Sequence, residues 1–275
     1  MTSLLPAKTF DWANLGLRVI SATVLIPAVV LAIWTGGWLF LLMIAIAVAL
    51  LANEWGLMVA KQAPARIGAT VGIVVLASAF WGHWQHFEIA IWTLLAGSLV
   101  AGLVGWQLEK KALSPAYGVF YIGLPVLAIT WLRTTDQGLT WTVALFAVTW
   151  SADIVAYAVG SALKGPKLWP RFSPNKTWSG FIGGLIGAVI AAMTVSVLSH
   201  LKISIMAAAA VGLLGGLATM AGDLWESVLK RRFGVKDSGS LIPGHGGLLD
   251  RVDGLMFAAI IVALARLVAF TGFPF

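Results

Sequence analysis

From Ser227 to Asp253 the chain reads SVLKRRFGVKDSGSLIPGHGGLLDRVD, a stretch that holds Lys230, Arg231, Arg232, Lys236, Asp237, His245, Asp250, Arg251 and Asp253. Only 11% of the whole chain is charged, and this stretch lies between two long apolar segments. Ionisable groups at membrane spans are costly and mark functional sites. The mixture suits phosphate chemistry: carboxylates for a hard divalent cation, lysines and arginines for phosphates, glycines where backbone approaches a ligand. Just upstream, Asp223 and Glu226 are three apart and Lys230 is four beyond Glu226, so the three share a helix face. Lys230 can serve Glu226, whereas Asp223 lies deeper with no obvious local cation. Asp250 and Asp253 repeat the three-residue spacing near the start of the last apolar segment, where acidic groups and bound phosphates are both favoured. Asp223 and Asp250 together make an oxygen-ligand site for Mg²⁺, completed by water and substrate phosphates, for one ion or two. A helix-pairing ion network with Arg231 and Arg251 would account for the same charges without chemistry.

A second cluster, Arg171-Phe172-Ser173-Pro174-Asn175-Lys176-Thr177-Trp178, precedes the seventh apolar segment. Ser173, Asn175, Lys176 and Thr177 all carry donors, and a helix N-terminus there would point at the same place, which makes an anion site. A helix cap plus a positive-inside lysine is the plainer alternative. No GxxxxGK[ST] phosphate loop occurs. Asp153 and Tyr157 are four apart and share a face within the sixth segment, as a buried hydrogen-bonded pair or as a substrate contact. Glu54, near the end of the second segment, is expected at the interface. His245, flanked by glycine, is the histidine to connect with chemistry, as a phosphate donor.

These residues need elements to hold them, and composition says which. The chain has 275 residues, is 60% hydrophobic and has a mean hydropathy of +0.93. That exceeds soluble domains, and runs of roughly 20 apolar residues follow one another. The expected fold is an all-α polytopic bundle of nine membrane spans, near 17–35, 38–56, 67–84, 88–106, 115–133, 138–162, 179–200, 203–229 and 253–271. A barrel's alternating pattern is absent. With the N-terminus in the cytoplasm, 15 of the 18 Lys and Arg fall on that side, leaving Arg133, Lys202 and Arg266 opposite. This asymmetry supports the N-in orientation and puts the loops 163–178 and 230–252 in the cytoplasm. It also explains the net charge of +7 without nucleic acid. The absence of cysteine excludes disulfides, thiolate metal sites and cysteine nucleophiles. Trp34, Trp38, Trp81, Trp84, Trp106 and Trp141 lie near span ends, as interfacial anchors do. Gly180, Gly183, Gly184 and Gly187, with Gly212, Gly215 and Gly216, give small-residue seams for packing within the chain or for a homodimer. Residues 1–150 read as transmembrane scaffold and 151–275 as the catalytic region.

The charged stretch resembles the signature of the phosphatidate cytidylyltransferase (CDP-diglyceride synthase) family, S-x-[aliphatic]-K-R-x4-K-D followed by H-G-G-x-x-D-R-x-D. Ser227, Leu229, Lys230, Arg231, Lys236, Asp237, Gly239, Ile242, Pro243, His245, Gly246, Gly247, Asp250, Arg251 and Asp253 stand in that register. Gly222, Asp223, Glu226 and Ser227 resemble the family's G-D-x-x-E-S. Ser173, Pro174, Lys176, Thr177 and Trp178 resemble its S-P-x-K-T-W, with Ser179 where many members have glutamate. The resemblance covers about Asp153 to Gly254. It implies that CTP and phosphatidic acid react to give CDP-diacylglycerol and pyrophosphate. It also implies metal binding at Asp223 and Asp250. Phosphates would be neutralised by Lys176, Lys230, Arg231, Lys236 and Arg251, with Ser173, Asn175, Thr177, His245, Gly246 and Gly247 contacting substrates. Asp153, Tyr157, Glu226, Asp237 and Asp253 are further candidates. A bacterial inner membrane, with the site facing the cytoplasm and membrane lipids around it, is the expected setting.

Two rivals share some of this logic. A CTP-dependent lipid kinase would transfer the γ-phosphate and release CDP. A transporter could use Asp153, Asp223 and Glu226 as an ion path. Against it, acidic residues are nearly absent from the first five spans, and no matching pair of broken helices is visible.

Overall fold

The computed structural model describes residues 12–170, 172–239 and 246–270, with side chains from 23 to 269. Nine helices run through them: α1 (Trp12–Thr35), α2 (Gly37–Val59), α3 (Pro64–His83), α4 (Phe87–Glu109), α5 (Leu113–Thr134), α6 (Gly138–Leu163), α7 (Trp178–Leu198), α8 (Ile205–Phe233) and α9 (Leu249–Phe270). From α2 onward, eight are long and apolar enough to cross a membrane. Ile73, Leu99, Ile154 and Leu198 point outward, more than 60% exposed. An apolar outer surface repeated on several helices suits lipid.

Local chemistry sets the ends that matter to the site. Ser204 and Thr177 cap α8 and α7, their side chains accepting from Ala207 N and Gly180 N at 3.1 and 3.2 Å. Gly234 closes α8 in the left-handed region at φ 76°. Two ends beside the site differ from the sequence expectation by four residues each. α8 continues past 229 to Phe233, where the Glu226–Lys230 pair supports its last turns. α9 begins at Leu249 rather than 253, which puts Asp250 in its first turn.

The stretch between α6 and α7, expected as a loop, contains a short antiparallel hairpin. Its strands β1 (Lys167–Trp169) and β2 (Ser173–Thr177) align Lys167 with Thr177 and Trp169 with Ser173. Trp34, Trp38, Trp81, Trp84 and Trp106 are exposed at helix ends, as expected for anchors. Trp141 is not: it is 1% exposed and lies beneath the Arg266 guanidinium, 5.6 Å from its ring centre. A cation over the indole face makes burial of that end favourable.

Helices α2 to α5 pack on one another, as do α6 to α9, and α5 joins the two sets by touching α6 and α9. The glycine seams are used inside the chain. A Cβ on Gly184 would lie 2.7 Å from Ala152 O of α6, and one on Gly212 would lie 2.7 Å from Ala188 O of α7. Such close backbone approach is what small residues permit between membrane helices.

Candidate active site

The site begins where α8 and α9 cross. Gly222 and Gly254 form the crossing, so tight that a Cβ on Gly254 would lie 3.0 Å from Thr219 O and 3.2 Å from Asp223 Oδ1. The neighbours of these glycines are therefore forced together: Asp253 lies within hydrogen-bonding reach of Asp223. Asp223 does have a cation, supplied from the hairpin. Lys176 of β2 donates to its Oδ2.

One turn further along α8 is a second group. Lys230 Nζ lies 2.6 Å from Glu226 Oε2 and 2.6 Å from Asp250 Oδ1, bridging α8 to the first turn of α9. The three side chains are 14%, 2% and 11% exposed, so this pairing is sheltered from solvent. Asp250 Oδ2 accepts from Ser238 N at 3.1 Å, Ser238 Oγ at 3.0 Å and Gly247 N at 3.2 Å. Asp250 thus organises the turn between α8 and α9 as well as pairing with Lys230. Among the described residues, Lys176 and Lys230 pair with these carboxylates, where the sequence alternative named Arg231 and Arg251. Arg231, Lys236, Asp237 and Arg251 are exposed at this end of the bundle.

A cavity of about 800 Å³ opens beside the first group, bounded by α6, α7, α8 and the hairpin. Asp153, Tyr157, Asn175, Lys176, Thr177 and Asp223 line it, and so do Lys164 and Lys167. Tyr157 is 80% exposed, so Asp153 and Tyr157 are cavity-facing groups and not a buried hydrogen-bonded pair. Lys164 and Lys167 read in sequence only as positive-inside charge. Thr177 both lines the cavity and caps α7, so cap and ligand roles coincide there. Ser173 sits at the far end of the hairpin opposite Trp169. Gly246 takes φ +83°, a conformation that favours glycine. Arg171 and His245 lie outside the described residues.

The donor set bears on metal binding. Among the described residues no three Asp, Glu or His form a ready-made cage. Mg²⁺ commonly takes only one or two carboxylates, however, and fills its sphere with water and phosphate oxygens. Two features fit that use. Asp223 and Asp253 face each other at hydrogen-bonding reach, and Glu226 Oε1 is buried without a partner. The Tyr121 hydroxyl of α5 is also buried without a hydrogen-bond partner. Buried polar groups left open in this way ask for an ion or water.

Comparison with known proteins bears on what this site does. A family model described as "Cytidylyltransferase family" matches residues 16–269. The chain belongs to that family. It is accordingly an enzyme, a nucleotidyltransferase. Among similar proteins is the phosphatidate cytidylyltransferase of Brucella abortus biovar 1 (strain 9-941). It is 41% identical over 262 residues, covering 92% of this chain and 93% of that protein. Those of Bacillus subtilis (strain 168) and Staphylococcus aureus (strain COL) are 43% identical over 138 residues and 35% over 200. They cover 50% and 70% of this chain, and 51% and 75% of their own lengths. The match to the family includes the first five helices, which in sequence read only as generic apolar spans.

Proposed function

We propose that this cytidylyltransferase acts on phosphatidic acid, converting it with CTP into CDP-diacylglycerol and pyrophosphate. The observation that carries the reading is the pairing of Lys176 with Asp223 and of Lys230 with Asp250 at one end of the bundle, beside a cavity walled by membrane-length helices. One substrate is a soluble polyanion and the other a lipid phosphate, so a shared site belongs at headgroup level and needs cations there. The near-full-length similarity to proteins named for this reaction supports the same choice. The charge asymmetry of the loops supports a site on the cytoplasmic face, and the bacterial sources of the relatives support a bacterial inner (plasma) membrane.

In the reaction a phosphatidate oxygen attacks the α-phosphorus of CTP in line. The bond from that phosphorus to the bridging oxygen breaks, and pyrophosphate leaves with the electron pair. No protein nucleophile is required, because transfer at phosphorus depends mainly on positioning and charge neutralisation. Lys164, Lys167 and Lys176 meet phosphate oxygens in the cavity. Lys230, paired with Glu226 and Asp250, and the exposed Arg231, Lys236 and Arg251 add positive charge at the same end of the bundle. Asn175, Thr177 and the Gly246–Gly247 backbone orient substrate, with Ser173 and His245 as further donors. Asp223 and Asp250 would hold Mg²⁺, with Asp253 and Glu226 as neighbouring carboxylates, and the ion would offset negative charge on the reacting phosphates.

The test is incubation of purified protein in detergent with phosphatidic acid, CTP and Mg²⁺. CDP-diacylglycerol with one pyrophosphate per lipid is expected, abolished by EDTA and in Asp250→Asn. Near-normal turnover of Asp250→Asn would overturn the metal assignment. Release of CDP with lipid phosphorylation would overturn the transferase reading in favour of a kinase, and solute uptake into vesicles without CTP consumption would favour a transporter.

A further inference from the structure

Glu54 was expected at the interface. It is instead fully buried, and it is bonded to the far half of the chain. Its Oε1 accepts from Leu248 N at 2.7 Å, and its Oε2 from Leu249 N at 2.8 Å. These two amides open α9, where backbone donors have no partner within the helix. A carboxylate there also meets the positive end of the helix dipole. Oε2 lies 3.2 Å from Ser238 Oγ, the same hydroxyl that lies 3.0 Å from Asp250 Oδ2. Glu54 therefore touches both the helix that carries Asp250 and a hydroxyl that Asp250 uses.

The surrounding residues are built to admit this one side chain. A Cβ on Gly239 would lie 3.1 Å from Glu54 Oε1, and one on Gly247 would lie 2.9 Å from Glu54 Oε2. Glycine at both positions leaves the space the carboxylate fills. Next door, Trp55 is also fully buried. Its ring packs against Phe233 at the end of α8, and its Nε1 donates to Ser114 O of α5 at 3.2 Å. The end of α2 is thereby fixed to α5 and to the last turn of α8.

We infer that Glu54 is a positioning residue for the transfer reaction: it sets the place of Asp250 by clamping the start of α9 and, through Ser238, the carboxylate itself. The inference rests on the proposed reaction for its kinetic readout only; the clamp is a separate physical statement. Groups that orient a metal-binding or charge-carrying side chain typically matter about 10- to 100-fold in activity.

The test compares wild type, Glu54→Gln, Ser238→Ala and the double variant in detergent. Each is assayed for kcat and KM, for thermal unfolding, and for amide hydrogen exchange over residues 246–252. Glu54→Gln keeps the side chain's size but replaces one acceptor with a donor facing donors. The expected result is a kcat about 10- to 100-fold lower with KM for CTP and lipid within about twofold. Exchange should rise at Leu248 and Leu249. Ser238→Ala should lower kcat as well, and the two losses should not multiply in the double variant, because both act through Asp250. A folded Glu54→Gln enzyme with wild-type kcat would overturn the inference, as would losses that multiply. Should Glu54→Gln not fold, an unchanged kcat in Ser238→Ala would overturn the relay to Asp250. If wild type forms no CDP-diacylglycerol while exchange still rises in Glu54→Gln, the proposed reaction fails and the clamp stands.

Discussion

Lys230 neutralises two carboxylates on different helices, and that makes it the residue on which local stability turns. Lys230→Met would leave Glu226 and Asp250 facing each other without their cation. Removing one partner from a buried ion pair costs roughly 3–5 kcal/mol. A large fall in the melting temperature in detergent should follow, and Lys230→Met combined with Glu226→Gln should recover part of it. Lys176→Met removes the hairpin's cation from Asp223, in a more open setting, and should reduce turnover with little change in melting. The sequence makes these two pairs unequally visible. Glu226 and Lys230 are four apart on a helix, so their contact follows from spacing. Lys176 and Asp223 are 47 residues apart, and no spacing rule joins them. Glu54 is harder still to read. A single acid near the end of an apolar span looks like an interfacial anchor, and among the described residues its partners include two backbone amides, which leave no signature in side-chain chemistry.

At the scale of elements, the α8–α9 crossing decides whether Asp223 and Asp253 meet. Gly254→Ala would place a methyl group against Thr219 O and Asp223 Oδ1. Separating the helices to admit it costs typically about 1–3 kcal/mol. Activity should fall more than stability, since the carboxylates move apart with the backbones; a kcat close to wild type would show that their contact is dispensable. Thr177→Ala should lower stability by about 0.5–2 kcal/mol through loss of the α7 cap, and Thr177→Ser should restore it. Helix existence was legible throughout, because each span keeps a long apolar run. The helix ends at the site were less so. Lys230, Arg231 and Arg232 extend α8 beyond its apolar run, and Leu249 starts α9 ahead of where its uninterrupted apolar run begins. The β1–β2 hairpin escaped because strands of three and five residues are too short to show alternation.

For the molecule as a whole, orientation is open to a clean measurement because the chain has no cysteine. Single-cysteine variants at Arg232 and Lys202, both exposed, would carry the only thiol available to an impermeant maleimide. The charge asymmetry predicts labelling at Lys202→Cys in intact cells and at Arg232→Cys only in inverted vesicles. The reverse pattern would place the candidate site on the other face. Glu54 has a consequence in time as well as in space. The amide of Leu249 follows it by 195 residues. At about 5–20 residues per second, roughly 10–40 s of synthesis separate the acid from the helix it clamps. Through that interval the first five helices can insert and pack while the acid at the end of α2 waits without those amides. The catalytic end of the protein is thus the last part to mature, and a ribosome that stops short of α9 leaves an inserted membrane protein with no working site.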